Sequence, residues 1–597
     1  MLFVLRKTKK DKGLYLQIYK SEYDITKKYN RNSIYKTLGY CQDLVTEEIT
    51  DPVEYYTNKV KEMNIEQKFK EEMEKNSLVP KTSRKSLDIH CGYYPLKKIL
   101  DSLNVGPFIN FYADSIKRQK KAFNKTSVSV PKDLYSIMTD IIMARVVDPC
   151  SKYRTFTEVL PRFGHEITYT YDNMLDACEF VGEHYNFFTV LMAEIIQKKY
   201  GNPVDKVYFD CTNYYFEIDR EDDLRKKGPS KENRKDPIVG MGLLLNRDLV
   251  PINMRMYPGN QNESPVINQV INEMKDELHI DSRTIRVADK GLNNARNIYE
   301  ITKLKNDGYI FSKSVKKLSS AEKTWVFEDL DKNDDELKLA GWFFVNDNNG
   351  NLIYRYKETP PKTTFHYFFE TDIVEDNGTI KHVKVPFDVP EKRIITYNPA
   401  LAKKQLEELR KERDKAIDLN ASQVKREEYG DYAKYVIFVD ENGKKATTKL
   451  NTKKIKEDEK FCGYNLLVTS ETKMNAQDVY KTYHQLWRIE ETFRTLKSQL
   501  DARPVYLQKP YSIIGHFVLN FMAVQLLRLF QFYELKNKYG SEELCAFIRE
   551  LRYIKVTDNC YMSLNDDTDI LYAVAKLTKV PLTNKNLSNK QFSLLNL

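Results

Sequence analysis

The chain has 597 residues, enough for several structural units, and its 41% hydrophobic residues can fill substantial cores. Lys and Arg outnumber Asp and Glu by 95 to 85, and the mean hydropathy of −0.59 argues against an integral membrane protein. The eight cysteines are scattered singly with no CxxC pair, which excludes a zinc ribbon and a dithiol redox motif and fits a reducing, cytoplasmic compartment.

Positive charge is concentrated near the N-terminus. Residues 1–40 carry ten Lys or Arg and only three acids, a net charge of +7, and a second acid-free basic stretch runs from Lys117 to Lys132. Concentrated positive charge indicates a polyanionic partner, because each neutralised phosphate releases counterions. A solvated surface is the alternative interpretation.

The first two regions differ in their apolar spacing. Alternating apolar and polar residues around Lys12-Gly13 predict a small antiparallel β unit, followed by a charged helical linker up to residue 80. Residues 81–203 have helical spacing, as in Leu134, Ile137 and Ile141, and predict a helical bundle in which Ser151 is a helix N-cap.

Residues 204–312 predict an α/β unit with element order β-β-β-α-β-α-β. Its first strand, Val207–Phe209, ends at Asp210, and its fourth, Thr284–Ala288, ends at Asp289. Three consecutive strands followed by alternating helices and strands favour a mixed sheet.

The pattern changes at residue 313. Residues 313–460 predict a β-rich insertion that contains one charged helix, 399–419. Residues 461–535 return to helices, with one long helix from Asn475 to about Leu500. Residues 536–597 form a C-terminal region with no distinct pattern.

One uncharged stretch, between Lys509 and Arg528, is long enough to span a membrane. It contains Pro510, Gly515 and His516, so a buried core helix is favoured, with His516 as a hydrogen-bonded core residue.

Asp210 and Asp289 are candidate site residues because they follow apolar strands. Strand ends in open α/β sheets face the binding crevice, and a charge there is costly unless it is paired or bound to a cation. For either aspartate alone, a capping or salt-bridged role is the ordinary explanation.

The segment from Tyr483 to Lys497 supplies a third acid, Glu490. Tyr483, Glu490 and Lys497 are spaced by seven residues, nearly two helical turns, so they share one helix face, and Arg494 joins them four residues after Glu490. An acid beside a phenol and two cations suits a metal ligand beside phosphate contacts. An amphipathic helix with a Glu–Arg pair is the alternative.

This segment resembles the signature helix of bacterial insertion-sequence DDE transposases, in the branch marked Y-(2)-R-(3)-E-(6)-K. Leu486 stands where that signature has Arg, and Arg494 is a candidate for the missing cation. Further motifs resemble the same family in the same order: Tyr208–Asn213 for the first-Asp strand, 240–263 for the following hairpin, Ala288–Asn294 for the second Asp, and 503–516 for the segment after the Glu.

The resemblance implies an RNase H-like catalytic core, 204–312 and 461–535, interrupted by the insertion. It implies that Asp210, Asp289 and Glu490 bind two Mg²⁺ or Mn²⁺ ions and that Tyr483, Arg494 and Lys497 contact DNA phosphates. Double-stranded DNA, both transposon ends and target, is the expected partner, recognised by residues 1–80 and 81–203, and a homodimer is expected because two ends must be paired. Trp325 and Trp342 of the insertion are candidates for stacking on a base, with a core role as the alternative.

Several alternatives stay open at the level of sequence. A phosphohydrolase with a nucleophilic Asp usually has a second Asp two residues on, where this chain has Thr212. The second alternative is an RNase H-like nuclease that does not transfer strands. The third is a DNA-binding descendant that no longer cuts DNA. Cys211 is interpreted as a small buried strand residue, not as a nucleophile.

Overall fold

The structure is a computed structural model, and it describes residues 2–24, 29–46, 49–76, 88–123, 130–201, 203–229, 235–329, 332–374, 380–417, 434–441 and 444–595. The chain divides into two compact units. The first contains Met1–Gly106, Pro131–Ala177 and Leu529–Leu597, and the second contains Pro107–Val130 and Cys178–Arg528. The helical region 81–203 is therefore shared between the two units. The boundaries of the six regions predicted from the sequence stay predictions.

The N-terminal segment forms the antiparallel β unit that its alternation predicts. Three strands pair in the order β1-β2-β3, and a long helix follows them. The elements are β1 (Leu2–Lys10), β2 (Gly13–Asp24), β3 (Tyr29–Tyr40), α1 (Pro52–Asn76) and β4 (Asp88–His90).

The next segment is helical, as its spacing predicts. Ser151 is an N-cap, since its hydroxyl accepts a hydrogen bond of 3.2 Å from the Arg154 backbone N–H. The helices are α2 (Tyr94–Leu103), α3 (Gly106–Phe123), α4 (Leu134–Val147), α5 (Lys152–Arg154), α6 (Tyr171–Glu183) and α7 (Tyr185–Tyr200).

The second unit is built on a nine-stranded mixed sheet. Its first seven elements follow the predicted order: β5 (Lys206–Tyr215), β6 (Ile238–Leu245), β7 (Pro251–Pro258), α8 (Val266–Glu277), β8 (Ile285–Ala288), α9 (Ala295–Tyr299) and β9 (Gly308–Lys313). In the spatial order β7-β6-β5-β8-β9 the first three strands are antiparallel, and β5, β8 and β9 are parallel. This arrangement is compatible with the expected RNase H-like core.

The segment after β9 contains more helix than its sequence pattern predicts. Two short helices begin with capping boxes, Ser319 with Glu322 and Asn333 with Glu336. The elements are α10 (Ser320–Phe327), α11 (Asp334–Leu339), β10 (Phe343–Asn346), β11 (Leu352–Glu358), β12 (Thr364–Val374), β13 (Ile380–Pro390), β14 (Lys392–Tyr397), α12 (Pro399–Ile417), β15 (Val436–Glu441), β16 (Lys444–Leu450) and α13 (Thr452–Lys460).

The return to the core extends the same sheet. Strand β17 (Tyr464–Thr469) pairs antiparallel with β9, and β14, β11 and β10 continue outward from it. The predicted insertion thus contributes three strands to the main sheet, while β12–β13 and β15–β16 form separate hairpins.

The single long helix predicted from Asn475 to Leu500 is wrong in detail. The segment forms α14 (Ala476–His484) and α15 (Trp487–Arg494), followed by a π-helical turn, Thr495–Gln499. At the junction the Arg488 and Ile489 N–H groups donate to the carbonyls of Gln485 and Leu486, three residues back, so the helix tightens there to 3₁₀ geometry.

The uncharged stretch forms α16 (Pro510–Leu529), as a core helix. Among the described residues, Pro510–Glu534 is the one segment long and apolar enough to cross a membrane, and 94% of its most apolar window is buried inside the protein. His516 is buried, and its Nε2 lies 3.0 Å from the Ala502 carbonyl oxygen. The remaining elements are α17 (Ser541–Glu550), β18 (Arg552–Thr557), β19 (Cys560–Ser563), α18 (Asp569–Thr578), β20 (Asn586–Ser588) and α19 (Asn589–Phe592).

A buried polar cluster ties β8 to α8 and to the start of β9. Arg286, which is 0% exposed, lies 2.6 Å from the Asp307 carboxylate and donates to the side chains of Asn268 and Asn272 at 2.8 Å. Lys275 adds a second contact to Asp307 at 2.7 Å. Burial alone would raise the pKa of Asp307, but hydrogen bonds from Lys275 and Arg286 outweigh it and lower that pKa.

The cluster gives a stability prediction. Asp307→Asn leaves Arg286 charged and buried without its partner, so it lowers the free energy of unfolding by about 3 kcal/mol in urea titration followed by circular dichroism. Glu408→Gln breaks the exposed Lys404–Glu408 pair of α12 and is the matched control, with an expected change below about 0.5 kcal/mol. Equal effects of the two variants would contradict a structural role for the cluster.

Candidate functional site

The register of two parallel strands brings Asp210 and Asp289 together. Phe209 of β5 lies opposite Ala288 of β8, so the next residue on each strand is an aspartate. Asp289 directly follows β8, as predicted, whereas Asp210 lies inside β5, which continues to Tyr215 in its pairing with β6. The expectation that Asp210 ends its strand is therefore wrong, and what ends there is only the pairing with β8.

Two hydroxyl groups hold the Asp289 carboxylate. The Ser312 hydroxyl donates to Asp289 Oδ1 at 2.8 Å, and the Tyr483 hydroxyl donates to the same oxygen at 3.0 Å. Burial, followed by the charge of Asp289, raises the pKa of Tyr483 well above its usual value, so this phenol remains a proton donor at neutral pH. The other oxygen, Oδ2, receives no hydrogen bond from the described residues.

Asp210 is half-buried, and its Oδ1 accepts a hydrogen bond of 2.7 Å from the Cys211 N–H. The Cys211 side chain is buried in the apolar core of the second unit, as predicted. Asp210 is thus fixed by backbone on a central strand of the sheet.

The adjacent glutamates of α15 have different environments. Glu490 is exposed, and no Lys, Arg or His in the described part of the chain pairs with its carboxylate. Glu491 is half-buried and pairs with Arg488 at 2.8 Å and Arg528 at 3.1 Å. Burial would raise the pKa of Glu491, but Arg528 and Arg488 outweigh burial and lower it. Glu491 is therefore structural, and Glu490 is left available for a ligand.

Asp210, Asp289 and Glu490 line one cleft of about 220 Å³. Tyr483 and Leu486 also line it, so the position that holds Arg in the family signature is apolar here. The sequence interpretation missed four residues of the site. One is Ser312, which contacts Asp289. The other three lie within six residues of Glu490 and line the cleft: His484, Trp487 and Ile489.

Lys497 and Arg494 lie further along the helix. Lys497 follows α15 in the π-helical turn, and its Nζ is 5.3 Å from the ring centroid of Tyr214, four residues beyond Asp210 on β5. Arg494 is exposed and makes no ion pair with Glu490 in the structure, so the ordinary Glu–Arg pair considered above does not form. Their contacts with DNA stay a prediction.

The two tryptophans of the insertion have core roles. Trp342 is buried, and its indole N–H donates to Asp329 at 3.0 Å. Trp325 lies in α10 and packs against the main core of the second unit. Trp487 is different, since it is 49% exposed and lines the cleft.

The chemistry of the cleft fits hard divalent cations. Three carboxylates from separate segments line it, and oxygen ligands of this kind suit Mg²⁺ and Mn²⁺. In the described part of the chain, no three His, Cys, Asp or Glu side chains are close enough to hold one ion together. Mg²⁺ usually takes only one or two carboxylates and fills its other positions with water and substrate phosphates, so a complete protein cage is not needed.

The comparison with protein families bears on the part of the chain that carries Glu490. The family model described as Transposase DDE domain matches residues 388–526, a segment that contains β14, β17, α14, α15 and Glu490. The chain therefore carries a DDE-type transposase domain. No curated protein matches the chain.

The contacts of Asp289 give a prediction about metal binding. Tyr483→Phe and Ser312→Ala each remove one donor to Asp289, and each is expected to weaken Mn²⁺ binding about 10-fold, because groups that orient a ligand tune its affinity. The measurement is the free Mn²⁺ signal in electron paramagnetic resonance. Tyr506→Phe, which changes an exposed tyrosine, is the control. Unchanged affinity in both variants would contradict a positioning role for Tyr483 and Ser312.

Proposed function

We propose that the protein is the transposase of a DNA insertion sequence, which cleaves transposon ends and transfers the strands to target DNA by in-line phosphoryl transfer. The observation that carries the proposal is the convergence of Asp210, Asp289 and Glu490 on one cleft. Asp210 and Asp289 come from neighbouring parallel strands and Glu490 from a distant helix, and the match to the transposase family includes that helix.

Asp210 would hold both of two divalent ions, while Asp289 and Glu490 would each complete the coordination of one. When bound, Mg²⁺ or Mn²⁺ activates the attacking water or 3′-hydroxyl and stabilises the leaving oxygen. Neither the unpaired Glu490 carboxylate nor the free Oδ2 of Asp289 has to break an ion pair to accept a cation. This availability supports their assignment as ligands.

The remaining residues orient these acids and the DNA. Tyr483 and Ser312 fix the Asp289 carboxylate, which supports a positioning role for Tyr483 beside the phosphate contact that the resemblance implies. Arg494 and Lys497 would contact backbone phosphates, which position DNA without reading its sequence. Pairing of two transposon ends calls for a homodimer, and the reaction is assigned to the cytoplasm.

The test is cleavage of labelled duplexes that span both flanks of the gene, in the presence of Mg²⁺. Asp210→Asn, Asp289→Asn and Glu490→Gln are each expected to reduce metal-dependent cleavage by roughly 10³-fold while DNA binding persists, because several kcal/mol of charge stabilisation is lost. Asp478→Asn removes an exposed carboxylate from α14 outside the cleft and should cut normally.

Glu491→Gln is a second comparison, since it breaks a buried ion pair next to Glu490 and is expected to lower thermal stability. Normal cleavage by the three cleft variants would refute the site. Binding without cleavage by any protein, the native chain included, would indicate a DNA-binding descendant. Nicking without joining of the 3′-hydroxyl to a target would indicate a nuclease.

A further inference from the structure

The N-terminal sheet has two chemically different faces. Along β2, Leu16 and Ile18 are buried, and the alternate residues Tyr15, Gln17 and Tyr19 point to the opposite face. Pairing between β1 and β2 is regular from Leu2 to Lys10, so the same alternation divides the side chains of β1.

Helix α1 covers the first face. Val60 of α1 packs with Phe3 and Ile18 in one apolar cluster. The Asn64 side chain accepts a hydrogen bond from the Phe3 N–H at 2.6 Å and donates to the Phe3 carbonyl at 2.8 Å. These contacts fix the helix to β1.

The second face is open, as Val4 at 45% and Ile34 at 55% exposed indicate. Its side chains form three rows, each with one residue from every strand. The middle row is polar, and each outer row contains at least one tyrosine. The rows are Val4–Tyr19–Ile34, Arg6–Gln17–Thr37 and Thr8–Tyr15–Tyr40.

Two cations lie against tyrosine rings on this open face. The Arg6 guanidinium carbon is 5.1 Å from the centroid of the Tyr19 ring, and Lys10 Nζ is 3.9 Å from that of Tyr15. Tyr40 packs edge-on against Tyr15 with ring centroids 4.8 Å apart. The rings limit the freedom of both cations while their charged groups stay exposed, which lowers the entropy lost on binding an anion.

We propose that this open face docks in the major groove of duplex DNA, with Arg6 and Gln17 reading base edges and Lys10 contacting a phosphate. The proposal rests on the proposed function, because it names the surface by which the transposase holds DNA. Arg and Gln are the side chains that form paired hydrogen bonds with guanine and adenine in that groove. Val4 and Ile34 supply apolar contacts suited to thymine methyl groups.

Charge and size favour this partner. Residues 1–40 carry a net charge of +7, complementary to a polyanion. Strands are spaced by about 4.8 Å, so the outer strands of a three-stranded sheet lie about 10 Å apart. The major groove of B-DNA is about 12 Å wide and admits a two-stranded β ribbon, here β1 and β2, which carry Arg6, Lys10 and Gln17. The minor groove is about half as wide.

The sequence offers a charge-matched control for this surface. Arg6 and Lys10 lie on the open face, whereas Lys7 and Lys9 pair with Leu16 and Leu14 on the helix-covered face. Two double variants, Arg6→Ala with Lys10→Ala and Lys7→Ala with Lys9→Ala, remove the same charge from the same strand. A difference in DNA affinity between the two double variants would therefore come from the face that carries the residues, because the change in net charge is the same.

The experiment measures fluorescence anisotropy of a labelled random-sequence 30-base-pair duplex with the full chain carrying Asp210→Asn. The open-face variant is expected to lose at least about 10-fold in affinity and to reduce the salt slope by about one. The helix-face variant should change affinity less than about threefold. Thermal unfolding of both variants checks the fold, and Gln17→Ala is a milder second probe of the same face.

Base analogues test the groove. Replacing guanine by 7-deazaguanine removes an acceptor in the major groove only, and inosine removes the guanine amino group in the minor groove only. Weaker binding to the 7-deazaguanine duplex, with no change for inosine, is the expected result. The reverse pattern would overturn the major-groove assignment.

Equal losses in the two double variants, or no loss in either, would overturn the assignment of the open face. Tighter binding to an RNA duplex of the same sequence would overturn DNA as the partner. The catalytic proposal is judged separately, by cleavage in the Asp210, Asp289 and Glu490 variants. The open face can therefore fail while the catalytic site stands, and the catalytic site can fail while the open face stands.

Discussion

Hydrogen bonding between the parallel strands β5 and β8 is the constraint on which the candidate site depends. Because Phe209 lies opposite Ala288, Asp210 and Asp289 emerge at the same level of the sheet. Strand β9 continues the register, with Phe311 opposite Ala288, so Ser312 falls beside Asp289 and donates to it. A slip of one residue would turn every side chain of a strand to the other face and separate these groups.

The buried cluster around Arg286 acts on the same strands. It joins β8 to α8 through Asn268 and Asn272, and to the residue before β9 through Asp307. Burying two charges is expensive, and replacement by apolar side chains is often neutral or stabilising. Unlike an apolar contact, the cluster is held by directional hydrogen bonds, and the hydrogen bonds of Arg286 form in this arrangement of the strands. It lies at the opposite end of β8 from Asp289, so it fixes the strand without occupying the site.

The core topology and the three acids could be predicted from sequence because each has a local signal. Asp210 and Asp289 each follow a run of apolar residues that predicts a strand. The spacing of Tyr483 and Glu490 matches the signature helix of the DDE transposases. The break at Gln485–Leu486 has no Gly or Pro to mark it, so periodicity alone favoured one long helix. Ser312 carries no distinguishing pattern, since its role comes from the register of β8 and β9, which is a non-local property. Helices α10 and α11 were missed although their capping boxes are visible in the sequence, because strand-like composition dominated that region.

The continuous sheet has a consequence for shortening the protein. Strands β14, β11 and β10 cover the outer edge of β17, whose residues Leu466, Leu467 and Val468 are buried. A truncated chain lacking residues 314–460 would keep both acid-bearing strands but leave the backbone donors and acceptors of β17 open along an apolar edge. Such an edge pairs readily with another chain. We therefore expect a chain without these strands to self-associate along β17, and a shortened version of the protein would need a charged or proline-bearing replacement strand there.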